Sequence, residues 1–365
     1  MSLQIGIVGL PNVGKSTLFN ALTRSGAAVA PYPFTTIDPN VGVVPLEDAR
    51  LGWLAALVRP ERTVPATVEF VDIAGLVRGA HRGEGLGNQF LHHIRTVDAI
   101  AMVVRSFADA NVVHVSDRID LAADIATVDT ELILADLATV ARRLERTRAE
   151  ARAKPRECAA ELAFLDGLER HLNAGGKART LARDAEEQGI LDQLFLLTEK
   201  PRLYVVNVGE EQLADVAAAI RPVEPLAADE GAPVLAISAK IEADLAEWPA
   251  EEADQYRREL GLAASGLQAV VRAAYHRLSL ITFFTMVGGR EVRAWEIGSG
   301  ATAVKAAGKV HSDMERGFIR AEVVAFDDLR AAGSVAAARE RGTLRTEGRD
   351  YVVQDGDVIQ IRFSV

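Results

Sequence analysis

Cysteine is almost absent from this 365-residue chain. The single Cys158 excludes an internal disulfide and fits a reducing compartment, and its helical neighbourhood predicts a buried structural thiol rather than a reactive one. No stretch reaches the roughly 20 consecutive apolar residues that a membrane-spanning helix needs. The opening Met-Ser-Leu-Gln runs into an apolar strand pattern without the charged start and apolar run of a signal peptide. The expectation is a soluble, cytoplasmic protein with no membrane partner. An excess of positive charge is missing as well: 41 Lys and Arg face 51 Asp and Glu, a net −10. That argues against a protein coating nucleic acid over its whole surface, and leaves room for a local basic patch. Hydrophobic residues make up 49% of the chain, with a mean hydropathy of +0.09, enough for two or three domains with cores of their own.

From residue 3 the pattern is a short apolar strand (Leu3 to Val8), a glycine-containing turn, and a helix with Leu18, Phe19 and Leu22 on one face. This is the opening of a doubly wound α/β domain. Further short, β-branched strands are predicted at Thr67 to Val71, Ala99 to Val104, Leu203 to Val206 and Pro233 to Ile237. Between about 126 and 190 the texture turns to long helices. Ile133, Leu137, Val140 and Leu144 recur at heptad spacing, Lys154-Pro155 breaks the run, and Leu162, Leu165, Leu168 and Leu172 continue it until Gly175-Gly176. The expectation is an antiparallel helical hairpin, a coiled coil, inserted into the α/β domain. From about 279 strand-like Ile281 to Val287 and Val292 to Ile297, short helices and a terminal hairpin around Gln354-Asp355-Gly356-Asp357 predict a small α+β module. The predicted division is the α/β domain in two parts, 1–125 and 191–278, the helical insertion 126–190, and the module 279–365.

Gly9-Leu-Pro-Asn-Val-Gly14-Lys15-Ser16 satisfies G-x-x-x-x-G-K-[ST], directly after a strand and before a helix. Its backbone N–H groups are placed to curl around phosphates, Lys15 to add charge there, and the Ser16 hydroxyl to ligate magnesium. Three further stations follow at the ends of later strands. Asp72-Ile-Ala-Gly75 offers a carboxylate that can hold magnesium through water and a glycine N–H that can sense a γ-phosphate. Asn207-Val-Gly-Glu210 belongs at the base, and Ser238-Ala239-Lys240 over base or sugar. The proline-bounded segment Pro31 to Pro39 is the place for a switch loop, with Thr35 or Thr36 completing the magnesium shell.

Gly-Leu-Pro-Asn-Val-Gly-Lys-Ser-Thr, Asp-Ile-Ala-Gly-Leu, Gly-Glu-Gly-Leu-Gly-Asn-Gln-Phe (83 to 90) and Asn-Val-Gly-Glu closely resemble the YchF family of Obg-like ATPases. The likeness extends over essentially the whole chain. It includes a C-terminal region, carrying Val292-Arg-Ala-Trp-Glu-Ile and Glu315-Arg-Gly-Phe-Ile-Arg, that looks like a ubiquitin-like TGS domain. The resemblance implies magnesium-dependent hydrolysis of ATP to ADP in preference to GTP, and ribosome association in translation or stress response. It implies nucleotide contacts at Asn12, Val13, Gly14, Lys15, Ser16 and Thr17, magnesium on Ser16 and Thr36, base contacts at Asn207, Val208 and Glu210, and a catalytic His114. A monovalent cation such as K+, placed with the help of Asn12, is a further implication.

Guanine-specific relatives carry Asn-Lys-x-Asp where this chain has Val208 and Glu210. The longer Glu210 displaces the carboxylate, and unpaired buried polar groups at a purine edge cost roughly 1 to 3 kcal/mol, enough to erase guanine preference. Adenine preference additionally needs an acceptor for N6 and a donor for N1, from Asn207 or the backbone near Val208. Leu76 stands where a water-orienting Gln often follows the glycine, and an apolar side chain cannot polarise water. GTP hydrolysis, or nucleotide sensing without turnover, therefore stays open as the alternative. From Arg142 to Glu157 seven basic residues face three acidic ones, a surplus of four at the predicted hairpin tip. Either a solvated helix face or a contact to ribosomal RNA accounts for it. The chain is expected to be a monomer.

Overall fold

The computed structural model describes residues 3–24, 40–73, 75, 79, 86–109, 118–262 and 265–364. Their strands are β1 (Gln4–Val8), β2 (Asn40–Pro45), β3 (Arg62–Val64), β4 (Thr67–Asp72), β5 (Ala99–Arg105), β6 (Arg202–Asn207), β7 (Val234–Ile237), β8 (Leu280–Val287), β9 (Glu291–Gly298), β10 (Phe318–Ala325), β11 (Arg345–Glu347) and β12 (Asp357–Phe363). Every strand predicted with bounds lies within a residue or two of an observed one, while β2, β3, β10 and β11 were not predicted.

The first sheet has the order β2-β4-β1-β5-β6-β7. β1 runs parallel to β4 and β5, and β6 parallel to β5 and β7. Every residue of β5 and β6 is buried, which is why their interiors, 99–104 and 203–206, read as apolar runs between polar ends: a parallel strand covered on both faces has no solvent side to alternate with. Because the strands are parallel, their carboxyl ends gather on one edge, where loops following β1, β4, β5, β6 and β7 converge.

Between β5 and β6 the chain builds a helix Leu121–Ala151, capped by the Asp120 carboxylate on the Ala123 N–H, and a helix Pro155–Asn173 that begins on its proline. Ile133, Val140 and Leu144 of the first pack with Phe164, Leu165, Leu168 and Leu172 of the second, and with Leu191, Leu194 and Leu196 beyond them. Two polar anchors fix the base of this pair. Asp136, fully buried, accepts from the Leu197 and Thr198 N–H groups (both 2.8 Å) and the Thr198 hydroxyl (2.7 Å). Asp129 pairs with Arg202 at the start of β6 (2.6 Å) and with Lys177 (3.0 Å), while Glu230 takes Lys177, Arg179 and the Tyr204 hydroxyl. Cys158 is buried and unbridged.

The chain divides into two compact units, residues 1–43 with 69–274, and residues 44–68 with 275–365. This corrects the expected boundary, which left all of 1–125 in the P-loop domain. Leu51 and Leu54 of the helix Ala49–Val58, with Ala66, bury themselves against Phe284, Val292, Ala294, Val324 and Val358. β3 pairs in parallel with β9, and Arg50 bridges Asp48 and Asp355 at 2.7 Å each. No local spacing announces such a long-range swap. The second unit's sheet has the order β11-β10-β12-β8-β9-β3. The expected terminal hairpin is also corrected. β12 pairs antiparallel with β10 and parallel with β8, and Val352, before the turn, forms an isolated bridge with Thr302 instead of pairing with β12. The turn is pinned toward β8, since Thr282 donates to the Asp355 carboxylate and Gly356 donates to Thr282.

Candidate nucleotide site

The turn after β1 is shaped by two left-handed residues, Asn12 (φ 63°) and Gly14 (φ 96°). A methyl group at Gly14 would overlap the Asn207 side-chain nitrogen, so glycine is required there for space as well as for φ. The helix Lys15–Arg24 then starts, with Leu18 donating to the Gly14 carbonyl at 2.9 Å. Lys15 is 7% exposed and its ammonium donates to the Leu10 carbonyl at 2.8 Å. Burial pushes this lysine down to about 8, with the nearby Asp72 carboxylate pulling the other way.

Asp72 ends β4, and the β1–β4 register sets it beside Ile7. The Ser16 hydroxyl donates to its carboxylate at 2.8 Å. Burial raises the Asp72 carboxyl above its ordinary value, against the opposing pull of the Ser16 bond and Lys15. A Cβ at Gly75 would lie 3.1 Å from the Pro11 Cα and 3.2 Å from the Lys15 ammonium, so this glycine sits directly against the phosphate loop. Four residues on, the Gly79 N–H donates at 2.7 Å to Glu131, a buried carboxylate on the helix Leu121–Ala151. A hydroxyl and a carboxylate facing one another, next to a loop of N–H groups and a lysine, are hard-oxygen donors suited to a magnesium ion that arrives with phosphates. No group of three or more His, Cys, Asp or Glu side chains among the described residues could hold a metal by itself.

On the base side, Asn207 ends β6 and is 5% exposed. Its amide nitrogen donates to the Val13 carbonyl (2.9 Å) and its oxygen accepts from the Ala239 N–H (3.0 Å). Asn207 thus clasps the phosphate loop to the helix Ala239–Leu245, whose own cap residue Ser238 makes no side-chain capping bond. The Val208 N–H is spent on the Ile237 carbonyl (2.9 Å) and the Gly209 N–H on the Gln212 side chain (2.8 Å). This removes backbone N–H at 208 and 209 as the expected donor for adenine N1. Glu210 is exposed and opens the 3₁₀ turn Glu210–Asp215.

A cavity of about 610 Å³ joins these parts. Gly14, Thr17, Asn207, Val208, Glu210 and Ser238 line it, and so do residues the sequence did not single out, Phe107, Asp109, Trp248 and Tyr256 among them. Phe107 had a usable signal, since it follows the carboxyl end of a central strand. Trp248 and Tyr256, with ring centroids 5.4 Å apart, had none, because they reach the site from a turn and the helix Ala250–Glu259 far along the chain. The expected magnesium ligand Thr36 and the expected catalytic His114 lie outside the described residues.

Phosphate loop, facing Ser and Asp, and a base-side cavity at the carboxyl edge of a parallel sheet together define a P-loop nucleoside triphosphatase. Residues 4–135 match a family model described as a 50S ribosome-binding GTPase, and residues 280–364 match the model YchF-GTPase_C, described as a protein of unknown function. A protein of Bacillus subtilis (strain 168) named Ribosome-binding ATPase YchF is 51% identical over 367 residues, covering 100% of both chains. Its namesake in Escherichia coli O157:H7 is 49% identical, again over 100% of both. The solved structure of the Schizosaccharomyces pombe YchF GTPase is similar over 99% of this chain and 98% of its own, with a TM-score of 0.87 at 34% identity. The chain belongs to the YchF family.

Proposed function

We propose that this protein is a magnesium-dependent ATPase that converts ATP to ADP and acts as a ribosome-associated switch in the cytoplasm, in translation or stress response. The observation that carries it is the convergence of Lys15, Ser16 and Asp72, with the Ser16 hydroxyl 2.8 Å from the Asp72 carboxylate. When ATP and magnesium are bound, the ion supplies charge neutralisation for the β- and γ-phosphates. Ser16 and Thr36 would hold it, Asp72 would support it through water, Lys15 would bind the phosphates, and Gly75 would sense the γ-phosphate. His114 orients the attacking water; a His114→Ala variant that binds and hydrolyses ATP like the parent would remove that role. Asn12, already in a left-handed turn, helps place K+, so replacing K+ by Na+ lowers turnover, and equal rates in the two salts refute this.

Adenine is favoured over guanine because exposed Glu210 stands where guanine readers carry the Asp that pairs N1–H and the 2-amine, and because the N–H groups of Val208 and Gly209, spent on the protein, cannot donate to guanine O6; the donor for adenine N1 comes from elsewhere in the cavity. The curated relatives are named ATPases, whereas the fission-yeast relative and the N-terminal family model carry the name GTPase. GTP is therefore the second reading. Competition between ATP and GTP decides the base, and a clear GTP advantage overturns the choice. Phosphate release with and without ribosomes separates a switch from a sensor that binds without turnover.

Ribosome binding is the printed property of the bacterial relatives. In this chain the basic stretch near the helix ends supports it: Arg143, Arg146, Arg148 and Lys154 pair with carboxylates, while exposed Arg142, Arg152 and Arg156 make no ion pair among the described residues. Surface pairs are worth about 0 to 1 kcal/mol and exchange readily for phosphates of ribosomal RNA. The Glu131–Gly79 bond links this coiled-coil hairpin to the residue four places past the γ-phosphate sensor. The C-terminal unit acts as a TGS-like, ubiquitin-like module, and the whole works as a monomer.

A further inference from the structure

Arg105 is the last residue of β5, only 2% exposed at the end of an otherwise aliphatic strand. A buried guanidinium is costly to desolvate, so its contacts carry information. Its Nε donates to the Phe107 carbonyl at 3.0 Å, an Nη nitrogen reaches the Asp109 carbonyl at 3.4 Å, and its central carbon stands 4.5 Å from the centroid of the Phe107 ring. One side chain therefore holds the backbone of loop 106–109 at two points and stacks on the ring between them. The same loop is tied to the segment after β6, which also lines the cavity. Ser106 N–H donates to the Asn207 carbonyl (2.9 Å), and Gln212 bridges the Ser106 hydroxyl (2.9 Å) and the Gly209 N–H (2.8 Å).

The geometry points to Arg105 as the positioning residue for base binding: it fixes Phe107 as an aromatic wall of the cavity against which the purine of the nucleotide packs. Arg suits this position because its planar, always-charged fork both stacks on a ring and bonds two carbonyls, which Lys cannot do. Phe107 and Asp109 line the same cavity as Val208, whereas Lys15, Ser16 and Asp72 serve the phosphates. These two bonds of Arg105 therefore bear on the base end of the cavity. The inference rests on the proposed nucleotide reading of the cavity.

Calorimetric titration of the full chain with magnesium-ATP and with magnesium-tripolyphosphate tests it in the parent, Arg105→Met, Arg105→Lys and Phe107→Ala. Base stacking on an aromatic side chain contributes about 1 to 3 kcal/mol, so Phe107→Ala weakens ATP by roughly 5- to 150-fold, and Arg105→Met by about tenfold, with tripolyphosphate affinity held. The loss falls on KM rather than kcat, and in the Phe107→Ala background Arg105→Met adds less than about twofold. Parent-like ATP affinity in Arg105→Met, equal losses for ATP and tripolyphosphate, or full additivity with Phe107→Ala each overturn the role. If Arg105→Met does not fold, Arg105→Lys, which keeps the charge and loses the stack, is read by the same criteria. A parent that fails to bind ATP while binding tripolyphosphate defeats the nucleotide reading instead.

Discussion

Binding of ATP is expected to carry a proton onto Lys15. In the ligand-free protein burial holds this ammonium at about 8, against an ordinary 10.5, so it is depressed in the folded state. Phosphate oxygens restore the charged form, and the bound lysine returns to or above its ordinary value. By linkage, binding takes up about half a proton at about pH 8 and nearly a whole one a unit higher. The association constant then falls by about thirtyfold between about pH 7 and about pH 9.5, approaching tenfold per unit above 8. The same depression acts on folding in the absence of nucleotide. The unfolded chain binds the proton more tightly between about 8 and 10.5, so this group's contribution to stability rises with pH across that window. Titration calorimetry in buffers of different ionisation enthalpy reads the uptake directly. A binding constant flat across this range, with enthalpies independent of the buffer, refutes the assignment of Lys15 as a buried phosphate ligand. Lys15→Ala removes both the pH dependence and tight triphosphate binding; unchanged affinity in that variant counts equally against it.

Asn207→Ala strands the Val13 carbonyl and the Ala239 N–H, each costing about 1 to 3 kcal/mol, and so weakens ATP by tenfold or more in the same titration; parent affinity would show the clasp to be dispensable. Asp136→Ala leaves three donors facing an empty, buried site and is expected to destabilise the first unit by about 3 to 5 kcal/mol, read as a lower urea midpoint at constant slope. An unchanged midpoint refutes the anchoring role. Charge reversal at Arg146, Arg148 and Arg152 should lower ribosome affinity and flatten its salt dependence by roughly 0.7 to 0.9 per lost phosphate contact; binding indifferent to the reversal excludes the hairpin as the RNA contact.

The sequence by itself determined the features that depend on neighbours along the chain. A strand, a glycine turn and a helix in immediate succession specify the phosphate loop, and unbroken β-branched runs specify strands covered on both faces. Heptad leucines before and after Lys154-Pro155 mark two long helices, which the structure packs through Val140, Leu144, Leu165 and Leu168. Asp72 and Asn207 were legible as strand-end residues for the same reason. Tertiary structure decided everything that rests on contacts distant in sequence. Residues 44–68 look like part of the first domain until Leu51 and Leu54 find Phe284 and Val324. Asn207 reads as a base contact, and only the structure shows that its amide also holds Val13 to Ala239. Arg105 reads as an ordinary strand terminus, Glu131 as one more helix carboxylate, and Trp248 and Tyr256 as surface aromatics. Their roles arise from what the fold sets beside them: Arg105 is buried under the Phe107 loop, Glu131 meets Gly79, 52 residues away, and Trp248 and Tyr256 join Gly14 and Asn207 around one cavity. Periodicity and motif spacing record what a segment must do locally, whereas the identity of a buried polar group's partner is fixed only once the parallel sheet brings its strand ends to one edge.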